Sequence, residues 1–273
     1  MSAPISAPIT AAGSAGALSD DELLAAYAWD FPAAPPDRPH FRFNFVVSVD
    51  GAAAIDGRSG GLGDGADHRV FGLLRRTADV ILVGAGTVRA EGYSGELLDP
   101  DAQSWRASRA MAPHPGLAVV SGALDLDPEG PLFRQAPVRP LILTVDSAPA
   151  DRKAALERVA DVVVAGERTL EPHRAAAVLA DRGFHRVLCE GGPRLFASFQ
   201  HAGLVDDLCL TVSPLLAAGN STRITAGTPE LTPHRLELAH VLRGADTLLL
   251  RYRSLSGPKP EEAHTNSKPS ATT

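Results

Sequence analysis

From Phe41 to about residue 202 the chain alternates between short apolar runs and segments of helical spacing. Strand-like runs fall at 42–49, 79–83, 117–121, 140–145, 161–165 and 186–189, and helical patterns at 66–76, 150–160, 171–182 and 194–202. That alternation predicts an α/β fold built on a substantially parallel sheet. The ending differs. Residues 207–214, 234–242 and 246–253 are strand-like with no helix between them, and Arg243-Gly244-Ala245-Asp246 reads as a hairpin turn. The sheet is therefore expected to finish in antiparallel strands. Ahead of this core, Ser19-Asp20-Asp21-Glu22 is a capping box opening a short helix to about Tyr27, and Pro32 to Pro39 is a connector. The expected organisation is a tail, short helix and proline-rich connector over 1–39, one domain over 40–254, and a disordered tail over 255–273.

Charge and motif content narrow the function. With 26 basic and 32 acidic residues the net charge is −6, which argues against nucleic acid or an anionic membrane as partner. No 18-residue apolar run is present, and the first 17 residues lack basic residues and a continuous apolar stretch. A cytoplasmic protein is expected. Cys189 and Cys209 sit in apolar segments at no metal spacing and read as buried thiols. The nine histidines form no H-x-E or H-E-x-x-H pattern, so no metal is expected. There is no G-x-S-x-G nucleophile elbow, and Asp67, His68 and the serines form no recognisable triad.

Two glycine turns follow apolar strands. Glu190-Gly191-Gly192 comes after RVLC and is followed by Pro193 and the helical run LFASFQHAGL. A strand, two glycines and a helix with Pro at its first position make a backbone cradle for an anion; a plain tight turn is the competing reading. Gly84-Ala85-Gly86-Thr87 follows DVILV, and its small residues permit close approach of a pyrophosphate. It departs from G-x-G-x-x-G at Arg89, which disfavours a standard dinucleotide fold. The two turns together suggest one cofactor held from two adjacent strand ends. Asp50, in Ser48-Val49-Asp50-Gly51, lies at a strand end where open sheets place ligands, or else belongs to an Asp-Gly turn. The glycine-rich loop after it, residues 52–65, is either a mobile lid or a linker. Arg75 is either a surface cation or, if it faces the cleft, a clamp for phosphate or carboxylate.

VVSVDG (46–51), LLRRTADVILVGAGTVRAEG (73–92), LCEGGPRL (188–195) and AGLVDDLCLTVSPLL (202–216) occur in that order. They resemble the C-terminal reductase domain of the bifunctional deaminase-reductase of riboflavin biosynthesis and its stand-alone pyrimidine reductase relatives. The resemblance covers about 40–253. It implies the three-layer dihydrofolate-reductase-like fold, NADPH as cofactor, and a homodimer formed through the sheet region. Cofactor contacts are implied at Val46, Gly84, Gly86, Thr87, Glu91, Ser121, Gly191, Gly192, Pro193 and Leu195, with Arg194 a candidate for the 2′-phosphate. Substrate contacts are implied at Ser59, Arg75 and Glu190. Two departures are visible: Asn44 stands where many members carry Lys, and a phosphate-contacting Arg of the family falls near Gly95. The zinc deaminase signature is absent. The expected reaction is hydride transfer from NADPH to C1′ of 5-amino-6-(5-phosphoribosylamino)uracil, with Asp50 and Glu190 as the acids that orient substrate and manage a proton. A dihydrofolate or pteridine reductase is the alternative, and a non-catalytic NADPH-binding protein a third.

Overall fold

A computed structural model describes residues 9–11, 17–29, 38–227 and 233–255. The strands are β1 (Ile9–Ala11), β2 (His40–Ser48), β3 (Val80–Gly84), β4 (Gly116–Val120) and β5 (Leu141–Thr144). They continue with β6 (Asp161–Val164), β7 (Arg186–Cys189), β8 (Asp207–Ser213), β9 (Leu236–Gly244) and β10 (Thr247–Ser254). The helices are α1 (Asp20–Ala26), α2 (Gly65–Thr77), α3 (Ala85–Glu91) and α4 (Pro100–Ala107), then α5 (Pro131–Arg134), α6 (Ala150–Leu156), α7 (Pro172–Ala180) and α8 (Pro193–His201).

All ten strands join one sheet in the order β1-β9-β10-β8-β2-β7-β3-β4-β5-β6. From β8 through β6 neighbouring strands are parallel, and β10, β9 and β1 extend the β8 edge in antiparallel pairs. The expectation of a parallel sheet with an antiparallel ending holds, because the β9–β10 connection is a tight turn that cannot carry a crossover. Strand pairs joined by crossovers need helices on both faces. One core cluster packs Leu23 of α1, Val70, Leu73 and Leu74 of α2, and Val88 of α3 against Ile81, Leu188 and Cys209 of the sheet. The opposite cluster packs α7 and α8 against Phe41, Phe43 and Phe45. There Phe196 and Phe199 of α8 lie 4.9–5.8 Å, centroid to centroid, from the β2 phenylalanines. The result is three layers. Both cysteines are free and buried, as their apolar settings predict; burial pushes the Cys209 thiol up to about 12.

The capping box forms, with the Ser19 hydroxyl accepting from the Glu22 amide and the Glu22 carboxylate accepting from the Ser19 amide at 2.8 Å. No basic residue lies in the last turn of α1, so its free carbonyls are met from the sheet. Arg42 donates to the Tyr27 and Ala28 carbonyls and Arg251 to that of Ala26, while both bind the buried Asp207 carboxylate at 2.7 and 2.9 Å. Two guanidinium groups thus satisfy a helix C-terminus and a carboxylate together.

Some expectations fail. Ile9–Ala11 is an edge strand pairing with Leu242–Gly244 of β9, where composition suggests only a tail. Ile9 is fully buried, so one side chain fixes a segment that local composition reads as disordered. The remaining tail residues, 1–8, 12–16 and 256–273, and connector residues 30–37 lie outside the described residues. Gly84–Thr87 is not an open turn: Gly84 caps α3, which begins at Ala85. Helix α4 was also unforeseen, although Asp99 accepts from the Ala102 amide at 2.7 Å and Pro100 occupies its first turn, a regular start signal.

Candidate active site

The cleft is organised by α2. Its cap, Asp64, accepts from the Ala66 and Asp67 amides at 2.9 and 3.0 Å. The Thr247 hydroxyl donates to the other Asp64 oxygen at 2.7 Å, which ties the helix start to β10. From there α2 carries Asp67, Phe71 and Arg75 at four-residue spacing, one stripe of the helix. Even-numbered residues of β2 point toward this helix, because Phe41, Phe43 and Phe45 belong to the opposite cluster. The half-buried Asn44 and Val46 therefore form the floor.

At the end of β7 stands Glu190, with its side chain 1% exposed. Arg75 grips it from α2, Nε to Oε1 and Nη2 to Oε2, each at 2.6 Å. Tyr93 donates its hydroxyl to Oε2 at 2.7 Å. The guanidinium stacks on Phe71 at 4.2 Å and faces Tyr93 at 5.7 Å. Burial works against the Arg75 charge, but the Glu190 carboxylate outweighs it and raises Arg75 above its ordinary value. Burial first and the Glu190 charge second push the Tyr93 phenol well up, so it remains a neutral donor. Sequence reasoning named Glu190 and Arg75 separately and missed Tyr93. Tyr93 follows the left-handed Gly92 that ends α3, and no local pattern marks it.

The two glycine segments meet. The Gly84 amide donates to the Gly191 carbonyl at 3.0 Å. Gly191 has φ +106°, and a β-carbon on Gly192 would lie 3.4 Å from Thr87 Oγ1. Beside Gly86 a β-carbon would meet nothing within 4 Å. Helix α8 starts at Pro193 with Gly192 as its cap, and no side chain caps its first-turn amides. Those amides and the open space at Gly86 suit a pyrophosphate, so the residues present fit a dinucleotide. Leu195 is buried in the core beneath, Arg194 is exposed, and Ser121 directly follows β4 with its carbonyl accepting from the Thr144 hydroxyl at 2.8 Å.

Ser59 and Glu91 also come together: the Ser59 amide and hydroxyl both donate to Glu91 Oε1, at 2.6 and 2.9 Å. This pins the glycine-rich loop to the end of α3. The same loop is tied elsewhere by Ala53 to the Thr222 carbonyl at 2.9 Å and by Ser221 to the Ala54 carbonyl at 2.6 Å. It is tethered to the body of the fold, not a linker.

Asp50 departs from its expected role. It is exposed, accepts from the Ser48 hydroxyl and from the Ala217 and Ala218 amides, and is lowered to about 2 by the Ser48 bond first and the two amides next. An exposed carboxylate with three donors is a loop clasp, the opposite of an acid raised by a closed cleft. At Gly95, a β-carbon would come within 2.3 Å of the Ala136 backbone nitrogen, so this packing has no room for an arginine there.

Residues 39–250 match the RibD C-terminal domain family. The chain belongs to this family. It is 30% identical over 220 residues to the 2,5-diamino-6-ribosylamino-4(3H)-pyrimidinone 5′-phosphate reductase of Methanothermobacter thermautotrophicus, covering 79% of this chain and 98% of that one. A pyrimidine reductase-like protein from Corynebacterium diphtheriae superposes with a TM-score of 0.77 at 27% identity, over 86% of this chain and 99% of that one. The riboflavin biosynthesis reductase of Saccharomyces cerevisiae superposes with a TM-score of 0.60 at 14% identity, over 82% of this chain and 93% of that one, a likeness of fold. The fold is the dihydrofolate-reductase-like one, and the homologues are riboflavin-pathway pyrimidine reductases. A reductase of this family implies a nicotinamide cofactor. Among the described residues no helix is long and apolar enough to cross a membrane.

Proposed function

We propose that the chain is an NADPH-dependent reductase of a 6-ribosylaminopyrimidine 5′-phosphate, yielding the ribitylamino product. The observation that carries this reading is the junction of two glycine turns beside the buried Glu190–Arg75–Tyr93 cluster. The α8 amides with Gly191, Gly192 and Pro193, the turn at Gly84 and Gly86, and Thr87 would hold the dinucleotide. Val46 would meet its nicotinamide, Ser121 its adenosine end and Arg194 its 2′-phosphate. When bound, the cofactor supplies a hydride to C1′ of the open-chain imine form of the sugar. Glu190, anchored on both oxygens, positions the guanidinium of Arg75, which would face the substrate. The loop pinned by Ser59 and Glu91 excludes water.

The test is oxidation of NADPH by the purified protein with the ribosylaminopyrimidine phosphate, compared with its background rate. Absence of any acceleration refutes the reading. A pteridine substrate is favoured by one observation, the closed packing at Gly95 where a phosphate-binding arginine would otherwise stand. Dihydrofolate in the same assay separates the two.

We also propose a homodimer through the face of β8, β10 and β9 turned away from α2. Val212, Leu238, Val241, Leu248 and Leu250 line it, with Leu238 50% and Leu248 39% exposed. A contiguous apolar sheet face of this kind is expected to be covered. Sedimentation equilibrium giving a monomer at micromolar concentration would refute it.

A further inference from the structure

The family domain begins at residue 39, yet α1 and the residues after it are fastened to the helix that carries Arg75. Arg69, in the second turn of α2, donates Nε to Asp20 at 2.8 Å and Nη2 to the Leu18 carbonyl at 3.1 Å. Leu23 of α1 is buried in one cluster with Val70, Leu73 and Leu74 of α2. At the far end, Trp29 donates its Nε1–H to Thr77 Oγ1 at 3.0 Å. The N-terminal segment is thus attached to α2 both in its first half and at its last residue.

Thr77 passes that hold on. Its hydroxyl accepts from Trp29 and donates to the Leu74 carbonyl at 3.1 Å, inside the last turn of α2. The last four carbonyls of a helix have no amide partner within it. Here Leu74 is met by Thr77, Arg75 by the Ala78 amide at 3.3 Å, and Arg76 by Arg106 Nη1 at 2.9 Å. Trp29 is itself fixed by the sheet. Its ring lies over the Arg42 guanidinium at 4.1 Å and meets His40 edge-on at 5.5 Å. Arg42 is fully buried and bonded to Asp207. A run of contacts therefore leads from the Asp207–Arg42 pair through Trp29 and Thr77 to the turn that holds Arg75, whose guanidinium is bound to Glu190.

We infer that Trp29 is a positioning residue for the reduction: through Thr77 it fixes the last turn of α2, and with it the direction from which Arg75 faces the substrate. This deepens the proposed function and rests on it. The grip on Glu190 sets the plane of the guanidinium, but a long side chain can reach one carboxylate from more than one backbone position. Only an anchored helix end makes the approach unique. A misplacement of about 1 Å in a substrate-orienting group costs about 10²-fold in rate. The cofactor segments at Gly84–Thr87 and Gly191–Pro193 belong to α3 and α8, so cofactor affinity is expected to be indifferent to Trp29.

The experiment compares wild type with three variants: Trp29→Phe keeps an aromatic ring and removes the donor, Thr77→Val removes the acceptor, and Thr77→Ser retains it. Each is measured for kcat/KM with the ribosylaminopyrimidine phosphate and for NADPH affinity by fluorescence titration. Trp29→Phe and Thr77→Val are expected to lower kcat/KM by about tenfold, with NADPH affinity changed by less than about twofold. Thr77→Ser should stay within about twofold of wild type. The double variant should be no worse than Thr77→Val alone, and Trp29→Phe should have no further effect in an Arg75→Met background. A merely structural role would weaken NADPH binding along with turnover and would persist without Arg75. Unchanged kcat/KM, a parallel loss of NADPH affinity, or an undiminished effect in the Arg75→Met background overturns the inference. If wild type does not oxidise NADPH with this substrate, the proposed reaction fails, and amide hydrogen exchange then decides the role of Trp29. Trp29→Phe should speed exchange at residues 74–78 by about fivefold and leave α7 and β4 as they are; equal exchange there, or a uniform rise across the protein, overturns it.

Discussion

Replacing Glu190 by Gln removes the charge at the centre of the buried cluster and little of its volume. Breaking a buried ion pair from one side costs about 3–5 kcal/mol, because the remaining charge is left without compensation. Here Arg75 keeps some solvent contact, at 17% exposure, and the amide oxygen of Gln still accepts one of its two bonds. Retaining one hydrogen bond returns about 1 kcal/mol. The amide nitrogen, however, meets donors on the side where Oε2 accepts from both Arg75 and Tyr93. The net expectation is a loss of about 3 kcal/mol, against a stability of about 5–15 kcal/mol for a domain of ordinary kind, so the variant remains folded. Urea denaturation of wild type, Glu190→Gln, Arg75→Met and the double variant forms a cycle. The double variant removes both charges and should be more stable than the sum of the singles by about 2–3 kcal/mol. Turnover should fall by at least about tenfold, since Arg75 loses its fixed orientation. The affinity for NADPH should change by less than about twofold, because the Gly191–Pro193 backbone is untouched. A coupling energy below about 0.5 kcal/mol, or a large loss of cofactor binding, would refute the view that Glu190 works by holding Arg75.

Gly191→Ala places a side chain at φ +106°, a conformation costing about 1–3 kcal/mol for any residue with a β-carbon. Relaxation of that turn should weaken NADPH binding by at least about tenfold in fluorescence titration; unchanged affinity would separate the turn from the cofactor. Asp207 tests the network under α1. Burial raises its carboxyl, but His40, Arg42 and Arg251 together lower it below its ordinary value. A lowered folded pKa gives stability that is full above the unfolded value of about 3.9 and lost as pH falls through the folded value. Wild type should therefore lose stability steeply below about pH 4, and Asp207→Asn should show a shallower acid limb with about 3–5 kcal/mol less stability at neutral pH. Parallel acid limbs in circular dichroism would contradict this.

The strand positions, the antiparallel ending and the capping box of α1 were readable along the chain. Each is written in local periodicity and turn chemistry, at β2, β7 and β8 as runs of apolar residues and at Ser19–Glu22 as a four-residue pattern. Gly191–Gly192 was readable as a turn, Gly84–Thr87 is a helix start instead, and the meeting of the two segments was foreseen from two strand ends that a parallel sheet makes neighbours. What eluded sequence reasoning has one cause in common. Tyr93 reaches Glu190 from 97 residues away, so it leaves no local trace. Asp50 misled because its motif is local while its partners, the Ala217 and Ala218 amides, are not.

Local sequence determines which segments can be strand or helix and where backbone can approach a ligand, because dihedral preference and burial period are properties of neighbours in the chain. Which carboxylate is clasped at the surface and which is paired in the interior was decided only by the tertiary structure. Their chemistry is set by charge, hydrogen bonding and solvent access across strands, and those come into being when distant segments pack.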